Sequence, residues 1–152
     1  MKPTFPAAIG AGLLAGSLAT AQPTMTIIGT PGSTIAPRFV HADGTLAGSA
    51  TGAWSGEVPA VWSPHNGLAL LGVPSGSSGG AVLSVSDDHS VSVGYSFVSG
   101  VLPAAVRWSS GTPAYLGTGL ANASGVSGDG AVITGHHVTF GGPTRAFRWT
   151  EG

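Results

Sequence analysis

The chain of 152 residues has no cysteine, and only 7% of its residues are Asp, Glu, Lys or Arg, where an ordinary soluble domain has about 25%. Without cysteine there is no disulfide framework, no thiolate metal site and no cysteine nucleophile. Five Lys and Arg against six Asp and Glu leave no basic surface for nucleic acid. A catalytic centre therefore has few side chains to draw on, and we expect no enzymatic activity and no cofactor.

Glycine and proline are instead plentiful, with 26 and 11 residues. Glycine-rich chains are often disordered, but disorder requires low hydrophobicity and high net charge. Here 42% of the residues are hydrophobic and the formal net charge is −1. This composition predicts an ordered chain rich in strands and tight turns.

The amino terminus has the pattern of a secretory signal peptide. Lys2 supplies the positive start, an apolar stretch covers residues 7–18, and Ala19-Thr20-Ala21 is a small-x-small cleavage site. The apolar stretch is shorter than the roughly 20 residues that a membrane-spanning helix needs. We therefore predict a signal peptide over residues 1–21, an extracellular or cell-surface location, and no membrane span in the mature chain.

The rest of the sequence repeats itself three times. Each repeat has an aspartate three residues after a valine, then a closing glycine, and a tryptophan fourteen residues after that glycine. The aspartates are Asp43, Asp88 and Asp129, the glycines are Gly48, Gly94 and Gly135, and the tryptophans are Trp62, Trp108 and Trp149. A period of about 40 to 50 residues is typical of propeller blades and of some solenoids.

Within a repeat the pattern favours strands. Residues 90–97 alternate strictly between polar and apolar, which predicts a strand with Val91 and Val93 on one face. The pairs Asp43-Gly44 and Asp129-Gly130 predict type I′ hairpin turns, whereas the middle repeat has Asp88-His89 instead. With the tryptophan strand and a short strand after it, each repeat predicts four antiparallel strands, which is one propeller blade.

We therefore predict an all-β fold of about three propeller-like repeats, covering about 36–80, 81–120 and 121–152, after an N-terminal strand and linker over 22–35. The last repeat ends without a fourth strand, and residues 25–29 resemble the missing one. Three blades are fewer than the 4 to 8 of typical closed propellers. The array is then a fragment of a longer one, an open stack, or a unit that closes its ring by assembling, and unpaired edges favour the first two.

Two candidate catalytic or metal patterns have simpler explanations. Residues 76–80, Gly-Ser-Ser-Gly-Gly, match the nucleophile pattern Gly-x-Ser-x-Gly, but they lie in a linker and not between a strand and a helix. His136 and His137 are adjacent, and adjacent strand residues point to opposite faces, so with Asp129 they do not form a chelating set. We predict no catalytic residue and no metal site.

The repeated residues also have a structural interpretation. One aspartate per repeat, at Asp43, Asp88 and Asp129, is explained by a turn in which its side chain bonds the nearby backbone, and not by calcium binding or acid/base chemistry. The in-phase tryptophans are explained by packing between blades. Trp54 has no counterpart in the other repeats and lies in a glycine-containing loop, so it is the candidate for a surface contact.

Together these motifs resemble the extracellular HAF repeat. The segment 125–135 with Arg145-Ala146-Phe147-Arg148-Trp149 matches its two halves, and Val106-Arg107-Trp108 and Ala60-Val61-Trp62 match the second half. The resemblance implies a secreted or cell-surface bacterial repeat protein with a propeller-like fold and no activity that can be assigned to particular residues. Members often end in a sorting segment, which this sequence lacks, and that favours the fragment interpretation.

The functional hypothesis from the sequence is a secreted or cell-surface structural or binding module without catalytic activity. Its expected partners are carbohydrate or other cell-surface proteins, with self-assembly as a further possibility and nucleic acid excluded. The alternatives are a fragment of a larger propeller-scaffold hydrolase and a fragment of an outer-membrane autotransporter passenger.

Overall fold

In a computed structural model, the described residues are 25–29, 33–52, 56–99, 102–139 and 141–151. The predicted signal peptide and Trp54 lie outside these ranges. Every regular element in them is a β-strand, so this part of the chain contains no helix that could span a membrane.

The described strands form three antiparallel sheets, each built from consecutive strands in chain order. The first sheet contains β1 (Ser33–Val40), β2 (Leu46–Gly52), β3 (Val58–Ser63) and β4 (Gly67–Leu70). The second contains β5 (Ser77–Val85), β6 (Val91–Val98), β7 (Leu102–Ser109) and β8 (Thr112–Tyr115). The third contains β9 (Leu120–Val126), β10 (Val132–Val138) and β11 (Thr144–Thr150). This arrangement confirms the predicted all-β fold of open, propeller-like repeats.

The sheets are stacked through two apolar layers. Val82, Val106 and Trp108 of the second sheet pack with Ala47 of the first sheet. On the other side of the second sheet, Val91, Val93 and Ala105 pack with Ala123 and Ile133 of the third. The second sheet is therefore buried on both faces, which explains why even Ser92 and Ser96, on the polar face predicted for β6, are buried.

The first hairpin of each repeat has the same turn, and it is not the type I′ turn that the sequence predicts. The backbone N–H of Gly44, His89 and Gly130 donates to the carbonyl three residues earlier. Of the turn residues, only these three have positive φ, at 87°, 59° and 73°. A type I′ turn requires positive φ at the aspartate as well, so each loop is instead a type I turn followed by one left-handed residue.

The closing glycine of each repeat lies opposite a bulge in the first strand of its sheet. The register shifts beside the residues that pair with Gly48, Gly94 and Gly135. A Cβ atom at these glycines would meet the carbonyl oxygens of Ala36, Ala81 and Asn122, well inside the 3.0 Å that real Cβ contacts respect. The repeated glycine thus allows two backbones to approach at the bulge.

Residues 25–29 do not form the missing fourth strand of the last repeat. They are assigned to no strand, and Ile28 packs against Ile35, Ala50 and Ala60 on the outer face of the first sheet. The short apolar sequence that resembles an edge strand therefore covers a different sheet from the one expected.

Candidate functional site

The hairpin loops 41–45, 86–90 and 127–131 lie next to each other at one end of the stack. The N–H of Asp87 donates to the carbonyl of Gly128 at 2.9 Å, and Nε2 of His41 lies 3.3 Å from Oδ1 of Asp87. These loops hold every aspartate of the chain, four of its six acidic residues. In a chain with so few charges, this end concentrates the ionisable groups.

Each repeated aspartate stabilises its own turn. Oδ1 of Asp43, Asp88 and Asp129 accepts the backbone N–H two residues later, at 2.9, 3.0 and 3.0 Å. A serine hydroxyl also donates to Asp88 and Asp129, from Ser86 at 2.7 Å and Ser127 at 2.5 Å. These donors favour the charged carboxylate, so the hydroxyl of Ser86 and the N–H of Ser90 lower the pKa of Asp88 to about 2.

The first loop departs from this pattern, because His41 stands where the other loops have serine. Its Nδ1 lies 2.9 Å from Oδ1 of Asp43. From the second loop, Nε2 of His89 lies 3.3 Å from Oδ2 of the same carboxylate. The two imidazole rings meet edge to face with centroids 5.0 Å apart. We call these three residues, His41, Asp43 and His89, the histidine–aspartate cluster.

Hydrogen bonds set the charge of this cluster. Asp43 and Asp87 face the two ring nitrogens of His41 and raise its pKa above the ordinary value of 6.5, chiefly through the bond to Asp43. The N–H of Thr45, and then His41, hold the pKa of the Asp43 carboxyl well below its usual range. Asp43 and Asp87 together therefore favour the protonated form of His41.

The turn aspartates lead to a prediction about acid stability. Hydrogen bonds from Ser127 and then Ala131 lower the pKa of Asp129 in the folded state, against a smaller opposing effect of Asp88. A carboxyl whose pKa is lower when folded stabilises the fold fully above its unfolded pKa, and this contribution is lost as the pH falls through the folded pKa. We expect Asp129→Asn to unfold more easily than the parent at neutral pH, and the difference to shrink as the pH falls below 3.8.

Urea unfolding of both proteins from neutral pH down to about pH 2 measures this difference. A stability gap that stays constant across that range would show that the charge of Asp129 does not contribute.

The other residues singled out from the sequence do not join the cluster. The placement of residues 76–80 in a linker is wrong, because residues 77–80 are the first residues of β5. The serine of the pattern therefore lies within a strand and not at a strand-to-helix turn, which is the context that a nucleophile elbow requires. His136 lies 3.1 Å from the side chain of Asn122, while His137 lines an apolar groove with Phe147 and Trp149. The two histidines do not act as a pair, as the alternation of a strand dictates.

That groove lies between the second and third sheets. It has a volume of about 280 Å³ and is lined mainly by apolar residues such as Leu116, Ala121, Phe147 and Trp149. Among the described residues, its wall carries no carboxylate, and its polar members are His137, Thr118 and Arg148.

The outer faces of the two end sheets differ in character. On the first sheet, Ile35, Ala50 and Ala60 are buried together with half-buried Leu46, Trp62 and Leu68. On the third sheet, Thr134, His136 and Arg148 point away from the second sheet, because they alternate with Ile133, Phe147 and Trp149, which face it. One end of the stack is therefore apolar and the other polar and basic.

Sequence reasoning missed the histidine–aspartate cluster because its parts are distant in the chain. His41 and His89 were not singled out, although both lie within two residues of a repeated aspartate. Both histidines depart from the repeat. Position 41 has histidine where the equivalent positions of the other repeats have Ser86 and Ser127, and position 89 has histidine where they have Gly44 and Gly130. The stacking of in-phase repeats brings these two departures together.

Comparison with known proteins adds no identity to this description. No protein-family model, no curated protein and no solved structure matches the chain.

Proposed function

We propose that the chain is a non-catalytic structural module, secreted or displayed at the cell surface, which joins end to end with a second copy of itself. The observation that supports this most directly is the repeated use of tryptophan between sheets. Trp108 packs toward the first sheet and Trp149 toward the second. Trp62 occupies the same place on the first sheet and faces outward, where no other described sheet covers it.

The apolar outer face of the first sheet is the receiving surface in this proposal. Leu46, Trp62 and Leu68 are only half-buried there, and Ile28 covers part of the face. Large apolar faces on a soluble protein commonly mark interaction sites. The resemblance to extracellular repeats, the predicted signal peptide and the scarcity of charge are all consistent with a stacking role outside the cytoplasm.

The outer face of the third sheet is more polar, but it carries an arginine at the position that would contact Trp62. Arg107 lies over the ring of Trp149, with the guanidinium carbon 5.4 Å from the ring centroid. Arg148 immediately precedes its tryptophan, as Arg107 does, and points outward from the third sheet. In a head-to-tail pair, Arg148 of one copy therefore takes the position over Trp62 of the next, repeating a contact that already exists inside the chain.

Sedimentation of the purified protein over a concentration series tests the proposal. We expect self-association that Trp62→Ala weakens by about 30-fold, as for a central tryptophan contact of about 2 kcal/mol. Arg148→Ala is expected to weaken it by about threefold to tenfold, the size of one cation–π contact.

Arg145→Ala is the matched control. Arg145 is an exposed arginine on the same strand, but it lies on the opposite face of the sheet from Arg148. We expect it to leave association unchanged. Circular dichroism checks that each variant stays folded. A protein that remains monomeric at all concentrations, or equal effects of the two arginine substitutions, would contradict the proposal.

The enzyme alternative has little support from the described residues. Asp43, Asp88 and Asp129 are held in their own turns, and the serine of the nucleophile pattern lies within strand β5. Carbohydrate binding through Trp54 concerns a residue outside the described ranges and stays a prediction, which a glycan array with Trp54→Ala would test.

A further inference from the structure

We propose that the histidine–aspartate cluster binds a divalent transition-metal ion, with Zn²⁺ as the representative ion. His41, Asp43 and His89 each offer one nitrogen or oxygen atom, and these atoms lie within 4.8 Å of one another. In a tetrahedral zinc site with bonds of about 2.0 to 2.2 Å, neighbouring ligand atoms lie about 3.4 Å apart. Nδ1 of His41 lies 2.9 Å from Oδ1 of Asp43 and Nε2 of His89 lies 3.3 Å from Oδ2, so the carboxylate faces both imidazoles, each through a different oxygen.

The chemistry of the ligands selects the class of ion. Two imidazoles and one carboxylate suit zinc, copper, nickel or iron, whereas calcium and magnesium require mostly oxygen ligands. Three protein ligands also leave one tetrahedral position for water or for a group from another molecule.

A partner behind the first ligand supports the assignment. Oδ1 of Asp87 lies 3.3 Å from Nε2 of His41, the nitrogen that does not face Asp43. Metal-bound histidines commonly donate their second N–H to a carboxylate, which fixes the tautomer so that the other nitrogen can bind the ion. The N–H of Asp87 donates in turn to the carbonyl of Gly128, so the third repeat holds this loop in place.

The repeat itself supplies an independent argument. The equivalent positions of His41 are serines, and those of His89 are glycines. His89 has a φ of 59°, a left-handed conformation that glycine adopts most readily. His89 thus occupies a position where the other repeats have glycine, and it contacts the loop in which His41 replaces serine. This combination indicates a role for the His89 side chain beyond forming the turn.

Two binding variants and a control test the site in the whole, tag-free protein. His89→Gly restores the residue of the other two repeats, so we expect it to keep or raise the stability while weakening zinc binding by more than about 100-fold. Asp87→Asn is expected to weaken zinc binding by about tenfold, as for the loss of a partner behind a ligand. His65→Ala, which removes an exposed histidine outside the cluster, serves as the control and is expected to bind like the parent.

Isothermal titration with zinc chloride measures the stoichiometry and affinity, and we expect one ion per chain. Histidine side-chain ¹⁵N shifts on adding zinc give a second readout, in which only His41 and His89 are expected to show the signature of bound nitrogens. No saturable binding by the parent, full binding by His89→Gly, or bound signatures at His136 or His137 instead would overturn the proposal. A purely hydrogen-bonded cluster predicts the first of these results.

Discussion

Replacing Gly94 by alanine is expected to lower the free energy of unfolding by about 3 kcal/mol. The new Cβ atom would meet the carbonyl oxygen and carbon of Ala81 and the Cα of Val82, all at or within 3.0 Å. These are backbone atoms of β5 at a bulge, so no side-chain rotation relieves the contact. The second sheet is also covered on both faces by its neighbours, which leaves it little room to shift. Urea unfolding followed by tryptophan fluorescence measures the change.

Gly117→Ala is the matched control for this substitution. No atom of the described residues lies within 4 Å of a Cβ atom at Gly117, and its φ is not in the left-handed region. We expect its stability to be unchanged or raised by up to about 1 kcal/mol, since alanine restricts the unfolded chain. Similar losses for Gly94→Ala and Gly117→Ala would show that the bulge does not require glycine.

Replacing Trp108 by alanine is expected to lower the free energy of unfolding by about 4 kcal/mol, the usual cost of removing a buried aromatic side chain. Trp108 is only 1% exposed and packs with Val82 and Val106 between the first two sheets. Its Nε1 donates to the carbonyl of Gly72 at 2.7 Å, a bond that fixes the connection between the first two repeats. The substitution therefore removes both a large apolar contact and a link between repeats.

Leu102→Ala provides the comparison, because Leu102 is 43% exposed. We expect it to cost less than about 1 kcal/mol. Trp108→Phe is expected to fall between the two, because it keeps a buried ring but leaves the Gly72 carbonyl without its donor. If Trp108→Ala cost no more than Leu102→Ala, the first two repeats would not be held together through the tryptophan.

The sequence was sufficient to predict the repeats and the all-β fold, because both depend on local features that recur in phase. The alternation in residues 90–97 and the fixed interval from the closing glycine to the tryptophan are visible without a structure. The turn type could not be predicted, because Asp-Gly fits both a type I′ turn and a type I turn followed by a left-handed glycine. The hydrogen bonds of Asp43 and Asp129 favour the second.

Features that depend on contact between repeats could not be predicted. The apolar pattern of residues 25–29 suits an edge strand and equally a segment that packs on a sheet face, and only the position of Ile28 distinguishes them. The role of the closing glycines depends on a bulge in the neighbouring strand. The pairing of His41 with His89 depends on how two sheets stack, which no pattern within one repeat encodes.

The head-to-tail arrangement is tested most directly by cross-linking between copies, and the absence of cysteine makes this simple. Val93 of the second sheet packs in the same cluster as Ile133 of the third. The equivalent positions across the proposed junction are Thr134 of one copy and Leu46 of the next. Mixing Leu46→Cys with Thr134→Cys under oxidising conditions is expected to give mainly the mixed disulfide. Equal amounts of mixed and self-linked dimers, or no dimers at all, would contradict the stacking of one copy on the next.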